Sequence, residues 1–116
     1  MTASMPFESI TFLLRARGFS LRPTLIGTVE EGVTQATRRF RERIRSVDVR
    51  LSDLNGPRGG LDMNCRIAVE LDHGETVVAE ETALSATRAV TTASSKLSHR
   101  IAQRLDRFRT RRRKSA

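Results

Sequence analysis

The chain has 116 residues, 38% of them apolar, with no Trp or Tyr, five Phe and a net charge of +8. That length suits a single domain with one modest core. The apolar content is too high for a disordered tail, and no stretch approaches the ~20 apolar residues of a membrane span. Nineteen of the 21 basic residues are Arg, the always-ionised, planar side chain that grips phosphate through paired hydrogen bonds. The balance therefore favours a polyanionic partner, either nucleic acid or an acidic membrane surface. Cys65 is the only cysteine, so an intrachain disulfide and a sulfur-rich metal site are both excluded. With no export signal apparent, a cytoplasmic location is expected.

Residues 1–8 read as a flexible leader. Ile10 to Arg17 then reads as a first strand closed by Gly18. From Pro23, which suits the first position of a helix, apolar residues fall at Ile26, Val29, Val33, Ala36 and Phe40, on one helical face. Arg22 stands where Ser, Thr or Asp would normally cap this helix. Gly27 and Gly32 weaken it by up to ~1 kcal/mol each, which calls for close approach to another element in compensation.

Val47, Val49 and Leu51 alternate with Asp48, Arg50 and Ser52, the pattern of a strand with one buried face. Residues 55–60 form a connecting loop on turn chemistry. Next, Met63, Cys65, Ile67, Val69 and Leu71 alternate with Asn64, Arg66, Ala68 and Glu70. Asp72 to Gly74 makes a tight turn, and Thr76 to Glu81 a further strand. Ser85 is a plausible N-cap. After it, Ala86, Val90, Ala93, Leu97, Ile101, Leu105 and Phe108 hold a helical stripe. The expected fold is α+β, ordered β-α-β-β-β-α, with two helices packed on one face of a four-stranded sheet.

On a wheel with Leu97 at zero, Lys96, Arg100, Arg104, Arg107 and Arg111 lie between about −100° and −20°. They form a one-sided basic ladder, and such a ladder is mildly unfavourable unless something anionic faces it. A helix from Ser85 to Arg111 would be roughly 40 Å long, against about 27 Å for a strand of eight residues. Its last turns should overhang the sheet and carry Arg107 to Lys114 into solvent. Arg38, Arg39, Arg41, Arg43 and Arg45 crowd the end of the first helix, where the macrodipole explains one or two cations but not five.

Chemistry is hard to find. His73 and His99 lack partners at metal-binding spacing and are expected at the surface. Cys65 points inward, and Glu80 and Glu81 point to opposite strand faces. Gly56 to Gly60 lacks the ending and helix of a P-loop, and lacks the setting of a GxxG clamp. No enzyme, metal or cofactor is expected. With Phe40 and Phe108 on apolar faces, few rings remain for base stacking, so recognition should be of backbone and shape.

Several of these segments together resemble the ribosome hibernation-promoting factor family, also called ribosome-associated inhibitors or ribosomal subunit interface proteins. They are Phe40, then Arg43-Ile44, then Val47-Asp-Val-Arg-Leu51; the strand Gly74 to Glu80; and Lys96-Leu97. Leu54 to Asp62 resembles the longer loop of a variant branch. The resemblance runs from about Ile10 to the end of the second helix. It implies one RNA- or ribosome-binding domain over residues 9–111, with a basic tail at 112–116. The implied role is binding to small-subunit ribosomal RNA in the channel for messenger and transfer RNA, which blocks translation in idle ribosomes. By resemblance that role falls on Lys96, Arg100 and Arg104, with Arg38 and Arg39 as weaker candidates; the helical ladder and the Arg run add Arg107, Arg111 and Arg41 to the expected RNA contacts. A monomer is expected, with neither a membrane nor a small-molecule partner. Two alternatives remain: a protein-interaction module that pairs through the open sheet face, and a general binder of structured RNA.

Overall fold

The computed structural model describes residues 2–4, 10–54 and 62–115, with side chains for 10–54 and 62–112. The elements run β1 (Thr2–Ser4), β2 (Thr11–Arg17), α1 (Pro23–Thr37), a 3-10 helix (Arg38–Arg43), β3 (Ile44–Asp53), β4 (Met63–Leu71), β5 (Thr76–Ala83) and α2 (Ala86–Ser115). The sheet follows chain order, β1-β2-β3-β4-β5. β2 and β3 pair in parallel across the α1 crossover, and the other neighbours pair antiparallel. The expected β-α-β-β-β-α domain is thus present. One short strand is added: Thr2–Ser4, inside the expected leader, pairs along the outer edge of β2.

Alternation builds the core. Phe12 and Leu14 of β2, Val47, Val49 and Leu51 of β3, Cys65, Ile67, Val69 and Leu71 of β4, and Val77 and Ala79 of β5 are all buried. Facing them are Val29, Val33 and Ala36 of α1, together with Ala89, Val90, Ala93, Leu97, Ile101 and Leu105 of α2. Every predicted inward face is the inward face observed, because period two in strands and 3.6 in helices leaves one apolar side to bury.

Local chemistry sets the boundaries. Gly18 closes β2 at φ +88°, a conformation that L side chains rarely adopt. α1 starts without a side-chain cap at Arg22. Ser85 caps α2 as expected, its Oγ accepting the Arg88 N–H at 3.2 Å. α1 stops earlier than the Arg run suggested. Thr37 is buried and turns its hydroxyl back onto the Val33 carbonyl at 2.7 Å, and residues 38–43 tighten into the 3-10 helix. Arg45 then belongs to β3 rather than to the helix.

The two glycines of α1 differ. A Cβ on Gly32 would stand 2.9 Å from Ser94 Oγ, so this glycine permits the close helix approach that was expected, whereas Gly27 faces open space. The loop reading at 55–60 lies outside the described residues, though its flanks are tied by the Leu54 N–H donating to the Asp62 carbonyl at 3.0 Å. Among the described residues, no helix is long and apolar enough to cross a membrane.

Candidate nucleic-acid interface

The basic ladder of α2 lies along β5, the edge strand. Lys96, Arg100 and Arg104 recur every fourth residue, and each meets an acceptor there. Lys96 Nζ pairs with the Glu81 carboxylate and lies 3.4 Å from the Glu80 carbonyl. Arg100 donates to the Val78 carbonyl at 2.6 Å, and Arg104 to Glu75 Oε2 at 2.8 Å. An edge strand presents unpaired carbonyls, and covering them with cations blunts its tendency to pair with another chain. The anionic surface that a one-sided ladder calls for is therefore partly internal. Each guanidinium still has donors to spare, since Arg carries five N–H groups.

Farther along, the helix leaves the sheet. Leu105 is its last core residue, and Arg107, Arg109, Arg111 and Arg112 are all exposed. The overhang has the basic character expected, and its backbone stays helical to Ser115 through the expected tail. Phe108 marks the departure point. His73 stacks on its ring with centroids 4.0 Å apart and planes 12° from parallel. The Arg43 and Arg112 guanidinium carbons each lie 5.8 Å from the Phe108 centroid, within cation–π range. Here the basic end of the first helical segment meets the overhang of the second.

The β4–β5 turn ties the junction together. Asp72 accepts from Arg43 Nε at 2.9 Å, and its carbonyl accepts from Arg45 at 2.8 Å. The Arg43 bond holds the Asp72 carboxyl below its usual range. Glu75 bonds both Arg104 and His73 Nε2, each at 2.8 Å, and these bonds, led by Arg104, hold its carboxyl low. His73 Nδ1, 3.6 Å from Asp72 Oδ1, is too far to bond it. His73 is accordingly mostly buried, its side chain 15% exposed. This corrects the expected surface position: the imidazole serves as a flat filler under Phe108. His99 is exposed, as expected.

The remaining candidates are more scattered. Arg38, Arg39 and Arg41 are exposed on the 3-10 helix. Arg39 lies 4.8 Å over the Phe40 ring, and Arg38 borders a shallow depression with Glu30 and Glu31 of α1. The structure thus joins Arg43 and Arg112 to the ladder, while Arg38 sits beside carboxylates. Arg112 and the acceptors Asp72, Glu75 and Glu81 were not singled out by periodicity. Their place depends on strand pairing, which leaves no local signal.

Reactive groups are few. Burial pushes the Cys65 thiol up to about 12, with the Glu80 charge adding to it. Glu80 and Glu81 do part across the strand, toward Arg66 on the open face and Lys96 on the helical side. Among the described residues, no three His, Cys, Asp or Glu side chains are grouped so as to hold a metal ion.

The fold agrees with the comparisons. Residues 13–110 match the family model described as Sigma 54 modulation protein / S30EA ribosomal protein, and the chain belongs to that family. Its fold resembles that of a ribosomal subunit interface protein from Coxiella burnetii, with TM-score 0.68 and 16% identity over 82% of this chain and 97% of that one. It also resembles the N-terminal domain of Protein Y from Thermus thermophilus, with TM-score 0.64 and 20% identity over 78% of this chain and 92% of that one. No curated protein sequence matches the chain.

Proposed function

We propose that this protein binds the small ribosomal subunit through ribosomal RNA and keeps idle ribosomes out of translation by occupying the channel for messenger and transfer RNA. The observation that carries the reading is the convergence at Phe108. There an overhanging helix bearing exposed Arg107, Arg109, Arg111 and Arg112 meets Arg43 at one end of the domain. A basic projection past the last core layer can enter an RNA groove that the sheet body cannot. Family membership supplies the ribosome as the setting. Inhibition here is by occupancy, and no residue is assigned a chemical step.

Within this reading, Arg107, Arg109, Arg111 and Arg112 carry the main phosphate contacts, with Arg100, Arg38, Arg39 and Arg41 flanking them. Lys96 and Arg104 contribute less, since their charges already face Glu81 and Glu75. The protein should co-sediment with small subunits at low salt and be released as salt rises, through exchange with RNA counterions. Reversing two exposed charges with Arg107→Glu and Arg109→Glu should weaken binding at least tenfold without lowering thermal stability. Equal competition by a plain RNA duplex would indicate a general RNA binder instead. A protein that stayed at the top of a low-salt gradient with subunits in excess would refute the reading.

A further inference from the structure

The sheet face turned away from the helices carries a second concentration of arginine, assembled from three strands. Register places Arg15 of β2 beside Arg50 of β3, and Arg50 beside Arg66 of β4. Three guanidinium side chains therefore form a row across the sheet, at the ~4.8 Å spacing of adjacent strands. One step along, Arg17, Ser52, Asn64 and Thr82 form the next row. The four arginines, Ser52 and Asn64 line a shallow depression of about 480 Å³.

Like charges directly opposite each other across strands destabilise a sheet. A face needing only solubility would alternate signs along the row, and this one does so just at its end, where Arg66 meets Glu80. The carboxylates present offset part of the charge. Asp48 lies 2.7 Å from Arg15 and 3.6 Å from Arg50, and Glu80 lies 3.7 Å from Arg66. Around these rows that sets two acids against four cations, and Glu70, farther along the same face, is already paired with Arg45 at 3.4 Å. Arg15 Nε and Asp48 Oδ1 are also buried without hydrogen-bond partners.

The chemistry of the face selects among polyanions. Its described residues on β2 to β5 include no aromatic ring, so bases would find no stacking platform. Among the described residues of this face, the Trp and Tyr anchors typical of a protein–protein hot spot are missing as well, and its apolar side chains are Leu13, Ala68 and Val78, one row away from the arginines. What remains is Arg for bidentate phosphate contact, with Ser, Asn and Thr able to bond phosphate and sugar oxygens.

We propose that the open sheet face is a second RNA-backbone contact, made by Arg15, Arg17, Arg50 and Arg66. The domain is then held between two RNA segments rather than lying on one. This rests on the small-subunit reading above but concerns the opposite side of the molecule.

The test is equilibrium binding of the full chain to purified small subunits across a salt series, comparing wild type with an Arg50→Ser, Arg66→Ser double variant. Thermal melting serves as the fold control, and removing two crowded like charges should leave the midpoint unchanged or raised. The expected result is an affinity loss of roughly tenfold or more near 0.1 M salt. The slope of log K against log salt should fall by about 1.4–1.8, the loss of two phosphate contacts. A photocrosslinker on Ala68→Cys, in the row beside the arginines, should label ribosomal RNA, with Cys65 buried and out of competition.

Unchanged affinity and slope in the double variant, alongside weakened binding by Arg107→Glu/Arg109→Glu, would overturn the second contact and leave the helical interface standing. Crosslinking only to ribosomal protein would overturn it in favour of a protein dock. Failure of the wild type itself to bind subunits would overturn both readings.

Discussion

Gly32 and Ser94 show how a single atom decides the sign of a substitution. Both helical glycines lower helix propensity by about 1 kcal/mol relative to Ala, yet only Gly32 faces a neighbour, with a built Cβ 2.9 Å from Ser94 Oγ. The Ser94 hydroxyl is buried and has no hydrogen-bond partner. Gly27→Ala should therefore stabilise the protein by about 0.5–1 kcal/mol, and Gly32→Ala should destabilise it. Ser94→Ala removes both the clash and the unpaired hydroxyl, leaving ordinary contacts with Val90 Cγ1 at 3.5 Å and the residue-94 Cβ at 3.6 Å. In that background, Gly32→Ala should become stabilising. Urea melts of the wild type, Gly32→Ala, Ser94→Ala and their double variant form one cycle, and an unchanged sign for Gly32→Ala in the two backgrounds would contradict the clash. The hydroxyl-rich stretch Thr91 to Ser95 was legible as weak helix. Which hydroxyl lay against which glycine was not, because helix–helix contact joins residues 62 positions apart.

At the scale of elements, α2 is a helix held at its middle and released at its end. Leu97 and Ile101 are fully buried, whereas residues 109–112 are exposed. Between them, Asp72 and Glu75 of the β4–β5 turn grip Arg43, Arg104 and His73. Both carboxyls are held below their usual range in the folded protein. Their pairing therefore stabilises the fold above the ordinary carboxylate range and is lost as pH falls through the depressed values. The melting temperature should drop between about pH 5 and 3. Glu75→Gln should flatten part of that drop by about 1 kcal/mol or less, as suits partly exposed pairs. An acid limb identical in wild type and variant would show that Glu75 contributes nothing. Periodicity foretold the helix, its Ser85 cap and its overhang, all of which are local properties. The turn's grip was hidden, because Asp72 and Glu75 are ordinary turn residues until pairing of β3 with β4 brings Asp72 to Arg43 and packing of α2 on β5 brings Glu75 to Arg104.

At the scale of the whole molecule, the two basic surfaces lie on opposite sides of a body whose shortest Cα dimension is 19 Å. Substitutions on surfaces that share no partner should act independently. Combining Arg107→Glu/Arg109→Glu with Arg50→Ser/Arg66→Ser should multiply the two affinity losses and add the two reductions in salt slope. A combined loss no larger than that of the helical pair would mean that both sets act on one contact.

The amino-acid sequence by itself determined the order of the four main strands and two helices, the inward faces of β3, β4 and both helices, the cap at Ser85 and the sign and overhang of the α2 charges. Each is written in spacing along a few consecutive turns or strand residues. Tertiary structure alone decided how the cations are divided. Lys96, Arg100 and Arg104 are drawn onto the β5 edge, Arg43 and Arg112 are brought together over Phe108, and Arg15, Arg50 and Arg66 are aligned across three strands. Those pairings follow from register and packing between distant segments, and a one-residue slip in any strand would have turned its arginine to the other face.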